Sequence, residues 1–99
     1  MQLLNRENLI DATDGDLEME ATLYMAFFKT STEYMGSIIA NDERQRALHS
    51  LKGLALNMGA EALAEICKRA ESEDIANDKI EHIYQQTRTE MQAIVDQVE

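Results

Sequence analysis

The chain has no proline and no tryptophan, a single cysteine, four glycines and five aromatic residues among its 99 positions. Each scarcity closes a door. One cysteine rules out an internal disulfide framework and fits a reducing compartment, so a cytoplasmic location is expected. No apolar run is long enough to span a bilayer, and no basic start leads into an apolar stretch, so neither membrane contact nor a secretory leader is expected. Cationic residues are few as well: nine Lys and Arg stand against nineteen Asp and Glu, for a net charge of −10. Such a surface repels a phosphate backbone, which argues against nucleic-acid binding. What remains is 44% apolar and 28% charged, the composition of an ordinary folded domain. The length fits one domain, residues 1–99.

Apolar residues recur at helical spacing nearly throughout, and nothing alternates as a strand would. Asn5 is placed to cap a short first helix with Leu9 and Ile10 as its apolar spot, closed by Asp14-Gly15. Asp16 caps a longer one whose seam is Leu17, Ala21, Tyr24, Phe27 or Phe28, Tyr34 or Met35, and Ile38. Thr30-Ser31-Thr32 is its weak point, because hydroxyl side chains compete for backbone hydrogen bonds and bend or split helices. After a break at Asn41-Asp42, Glu43 to Met58 reads as a third helix with Leu48, Leu51, Ala55 and Met58 inward, and Gly59 beyond its end. A fourth helix runs from Ala60 to about Ser72 and buries Leu63, Ile66, Cys67 and Ala70. A fifth, capped by Asn77 or Asp78, carries Ile80, Ile83, Thr87, Met91, Ile94 and Val98. The expected fold is all-α: an antiparallel four-helix bundle with a short extra N-terminal helix.

The third helix stands apart. From Arg44 to Ala60 there are three basic residues and no acidic one, a local +3 on a chain of −10. At 100° per residue, Gln45, His49, Lys52, Gly53 and Leu56 share one face, a third of a turn from the apolar seam. Gly53 in a helix interior costs roughly 0.5–1 kcal/mol relative to alanine, a cost that makes sense if something must approach the backbone there. An exposed imidazole offers a neutral ring nitrogen that is a good nucleophile toward phosphorus, and a neighbouring ammonium neutralises phosphoryl charge. The pattern therefore points to His49 as a phosphoryl acceptor. The plain alternative is a solvated helix face.

Three other features read as structural. His82 falls off the apolar seam and is expected on the surface, Cys67 in the core, and Phe27 and Phe28 in bundle packing. Neither histidine has companions at metal-ligand spacing, so no metal site is expected. Arg44 and Arg46 flank the histidine's face, where they either orient a partner or solubilise the helix.

The run Leu48-His49-Ser50-Leu51-Lys52-Gly53-Leu54-Ala55-Leu56-Asn57-Met58-Gly59-Ala60 resembles the signature of histidine-containing phosphotransfer (HPt) domains, His-x-Leu-Lys-Gly-x-Ala leading to Gly-Ala. The likeness extends forward through Leu63 to Glu71 and back through Asp14-Gly15-Asp16 to Phe27-Phe28, nearly the whole chain. Departures are Leu48 in place of the usual alanine, Leu54 where a small residue is common, and the absence of a proline frequent in the second helix.

The resemblance implies a phosphocarrier of two-component phosphorelays. His49 would take a phosphoryl group from a receiver aspartate or a hybrid sensor histidine kinase and pass it to another receiver. It further implies Lys52 as the phosphate-side cation and Gly53 as the clearance position, with Gln45, Arg46 and Leu56 as docking residues. Such a domain has no ATP site and no cofactor of its own, the receiver supplying the divalent cation. It is expected to act as a monomer, free-standing or as part of a hybrid kinase. The basic patch should favour a receiver's acidic pocket, so association should weaken as salt rises. The rival reading is a helical interaction module whose histidine carries nothing.

Overall fold

The computed structural model describes residues 1–98, so Glu99, the last position of the expected domain, lies outside the described residues. The elements are α1 (Glu7–Ala12), α2 (Leu17–Ala40), α3 (Arg44–Asn57), α4 (Glu61–Ala70) and α5 (Asn77–Val95), followed by a 3₁₀ turn at Asp96–Val98. No strand occurs among the described residues. Helix α2 packs on α3 and α5, and α4 packs on the same two, so the four long helices form a closed ring. Connections of three to six residues separate them, which turns the chain back after each helix. The core is Tyr24, Phe27 and Ile38 of α2, Leu48, Leu51 and Ala55 of α3, Leu63 and Cys67 of α4, and Ile80 and Met91 of α5.

The helix ends show why the chain turns where it does. Asp16 accepts hydrogen bonds from the amides of Glu18 and Met19 at 3.0 and 3.2 Å, satisfying two orphan donors of α2. Asn41 closes α2 in the left-handed region (φ 55°), and Glu43 adopts it too (φ 50°), so α3 starts at Arg44, one residue later than expected. At Gly59 φ is +75°, and a Cβ there would overlap the carbonyl of Asn5. That close approach lets the Asn5 amide donate to the Gly59 carbonyl (2.8 Å) and the Ala62 amide donate to the Gln2 carbonyl (3.0 Å). The N-terminal segment is thereby laced to the start of α4. Glu61 completes the lacing, accepting from the Gln2 amide and the Asn5 side chain.

As expected of a single second helix, α2 runs unbroken through Thr30-Ser31-Thr32, and the details that differ from expectation lie elsewhere. Thr32 folds its hydroxyl back onto the Phe28 carbonyl, and buried Ser31 meets the Tyr84 hydroxyl at 2.7 Å, linking α2 to α5. Neither Asn77 nor Asp78 caps α5. Its N-cap is Ala76, without a side-chain cap, because the Asn77 side chain accepts from Arg44 instead. Helix α4 is shorter than expected at both ends. Ile10 is exposed while Leu9 alone of the pair is buried, and Leu17, Ile66, Ile83 and Val98 are only partly covered.

A buried carboxylate lies on the apolar side of α2. Glu20 is 2% exposed, receives both Nε and Nη2 of Arg6 (2.7 and 2.8 Å), and accepts from the Tyr24 hydroxyl. The two-pronged guanidinium contact anchors the residue that leads into α1. It holds the Glu20 carboxyl below the ordinary glutamate value, against the opposing effect of burial.

Candidate functional site

Helix α3 presents its polar face to solvent because Leu48, Leu51 and Ala55 hold the opposite face in the core. His49 stands out from it with its side chain 71% exposed. Lys52, one turn along, is mostly covered. Between them stands a residue that the sequence left unassigned. Glu71, just past the end of α4, accepts from His49 Nδ1 at 3.1 Å through one carboxylate oxygen and from Lys52 Nζ at 2.9 Å through the other.

This shared carboxylate decides the chemistry of the ring. The hydrogen bond from Lys52, then that from His49, holds the Glu71 carboxyl below the ordinary glutamate value, so it is ionised at neutral pH. A carboxylate only accepts, so the hydrogen in the contact belongs to Nδ1. The neutral ring therefore keeps its lone pair on Nε2, which points away from the carboxylate. Among the described residues Nε2 has no hydrogen-bond partner.

Gly53 is exposed, and a Cβ built there would meet nothing within 4 Å. The protein's own packing does not require glycine at this position. Gln45, Arg46 and Leu56 are exposed on the same helix, Leu56 by 58%. The surrounding charge is less basic than the sequence suggests. Lys52 is neutralised by Glu71 and Arg46 is 3.5 Å from Glu43. Arg44 is spent inside the fold: it donates to the Ile75 carbonyl (3.1 Å) and to Asn77 (3.0 Å), tying the start of α3 to the α4–α5 connection. It therefore does more than solubilise the helix.

Cys67 is fully buried, and burial followed by the nearby Glu71 charge pushes its thiol up to about 12, which leaves it unreactive. His82 is exposed on α5 beside Ile66, Asp78, Lys79 and Ile83. Among the described residues no group of three or more His, Cys, Asp or Glu is placed to hold a metal ion. Among the described residues no helix is long and apolar enough to cross a membrane.

A helical bundle with an exposed histidine oriented by a carboxylate, and an amine on that same carboxylate, has the make-up of a group-transfer carrier. A model of the Hpt domain family matches residues 6–99, and the chain belongs to that family. No curated protein and no solved structure gives a significant match. Membership implies phosphotransfer in two-component phosphorelays, carried out with receiver and kinase domains by a module that has no ATP site of its own.

Proposed function

We propose that His49 is the phosphoryl acceptor of this domain, taking the group from the aspartyl phosphate of a receiver and returning it to another. The observation that carries this reading is the Glu71 carboxylate on Nδ1, which leaves Nε2 free, with Lys52 held one turn along on the same carboxylate. In the forward step the Nε2 lone pair attacks phosphorus. The Nε2–P bond forms, the P–O bond to the aspartate breaks, and its electron pair returns to the aspartate carboxylate. The ring keeps its Nδ1 hydrogen and becomes cationic, and Glu71 offsets that charge where it develops. Lys52 lies within reach of a phosphoryl group on the neighbouring turn and neutralises part of its charge. Gly53 admits the rim of the receiver's pocket.

The domain brings the nucleophile and the matching face. The receiver brings its acidic pocket and divalent cation, and this chain needs no cofactor of its own. The exchange takes place in the cytoplasm. Incubation with a phosphorylated receiver should give a label on this chain that is acid-labile and base-stable, and His49→Gln should abolish it. A label that persists in the variant moves the acceptor elsewhere. Stable receiver binding with no label on the wild-type chain would make this domain an interaction module.

A further inference from the structure

Helix α5 stands across the ring from α3, and between α5 and α2 runs a groove of about 260 Å³. Thr32, Gly36 and Ile39 of α2 line one wall, and Glu81, Tyr84 and Arg88 of α5 line the other. Ile39 is half exposed, as is Met25, three turns earlier on the same side of α2. Gly36 is a second helix-interior glycine whose missing Cβ would meet nothing within 4 Å. Arg88 is held in place: its guanidinium lies 4.7 Å from the centre of the Phe28 ring and 5.7 Å from that of Tyr84, and it donates to the Thr32 hydroxyl at 3.4 Å. It is held without being neutralised, for neither Arg88 nor Glu81 has an ion-pair partner among the described residues. The two lie seven residues apart, so they project from the same side of α5 about 10 Å from one another.

We propose that a second copy of this chain docks on the α2–α5 face, about a twofold axis that passes between Glu81 and Arg88. The occupant follows from the charges. Two opposite, unpaired charges on one side of one helix are their own complement: turning a copy by 180° about the midpoint sets each Arg88 against the partner's Glu81. Both ion pairs form at once, and no other relative orientation forms them. At a net charge of −10 two copies repel over most of their surface, so the paired charges select the orientation. The attraction comes from burying Ile39 and Met25, and the bare backbone at Gly36 lets the copies come close. The sequence suggests a monomer because it shows no need for a dimer, yet this contact costs the site nothing. It lies across the bundle from α3, so one assembly displays two open His49 rings. The inference does not depend on what His49 carries.

The test is sedimentation velocity of the whole chain over micromolar to millimolar concentration, with circular dichroism to verify the fold of each variant. The wild-type chain should show a monomer–dimer equilibrium. Gly36→Glu, placed in open space on a helix, should stay folded and raise the dimer Kd by roughly tenfold or more, since it puts bulk and a buried charge into the contact. Arg88→Glu and Glu81→Arg should each abolish self-association, because like charges then face each other. Mixed in equal amounts, these two variants should associate again, since every reversed position meets its opposite in the other chain. A wild-type chain that stays monomeric throughout overturns the proposal. So does a dimer unmoved by Gly36→Glu, or a mixture of folded single variants that associates no better than either alone. Should Arg88→Glu lose its helical signal, as loss of the stacking on Phe28 could cause, Glu81→Arg and Gly36→Glu decide, and a dimer that survives both overturns the inference. If Gly36→Glu weakens binding of a receiver and leaves sedimentation unchanged, the face belongs to that partner and a second copy does not occupy it.

Discussion

Replacing Glu71 separates two contributions that the structure assigns to one carboxylate. In Glu71→Gln the side-chain amide oxygen still accepts from Nδ1, so the tautomer survives and only the charge is lost. In Glu71→Ala both go. The charge effect is bounded by the 3.1 Å contact. Two unit charges at that separation interact by about 5 kcal/mol at an effective dielectric of 20 and by about 1.3 kcal/mol in water. His49 is 71% exposed, so the lower figure governs. Weakening the stabilisation of the ring cation by ~1–1.5 kcal/mol slows single-turnover transfer from a saturating phosphorylated receiver by roughly five- to fifteenfold in Glu71→Gln. Freeing Lys52 acts in the opposite direction, so the same comparison belongs in a Lys52→Met background. Glu71→Ala should be slower still, and ring ¹⁵N shifts should reveal a mixture of tautomers in place of Nδ1–H alone. Wild-type rates and wild-type ring shifts in Glu71→Ala would refute the argument.

Gly53→Glu should keep helical circular dichroism and gain a few tenths to 1 kcal/mol in stability, since a helix-interior glycine is replaced in open space. It should nonetheless abolish receiver-dependent labelling, and undiminished transfer would dismiss the clearance role. Gly59→Ala should destabilise by more than ~1 kcal/mol in urea unfolding, because φ is +75° and the new Cβ strikes the Asn5 carbonyl. Glu20→Gln should cost about 1–3 kcal/mol at pH 7, less than a wholly buried pair, because Arg6 is 38% exposed. The depressed Glu20 carboxyl makes its contribution complete above pH 4.5 and lost as pH falls through its folded titration. The variant should therefore flatten the acid arm of the stability profile, and an unaltered arm would count against the buried pair.

Most of the bundle was legible because period alone fixes which face of a helix is buried. The seam Leu48, Leu51, Ala55 and Met58 points inward as its spacing requires, and His49 consequently points out. What spacing does not carry is the identity of polar partners distant in sequence. Glu20 looks like one more solvated acid until Arg6, fourteen residues back, is folded onto it. Glu71 lies twenty-two residues beyond His49 on another element, and only the α3–α4 turn brings the two together. The structural contacts of Arg44 are hidden from spacing for the same reason, since its acceptors Ile75 and Asn77 lie beyond α4. The basic island was real as a count along the chain, and much smaller once Glu71 and Glu43 took their places beside it.

The most direct measurement is ³¹P and ¹⁵N NMR of the uniformly labelled chain after phosphorylation by a receiver. One phosphoramidate signal coupled to Nε2 of His49, with Nδ1 still protonated, is the expected spectrum. Phosphorus on Nδ1, on His82 or on no nitrogen at all would contradict the account.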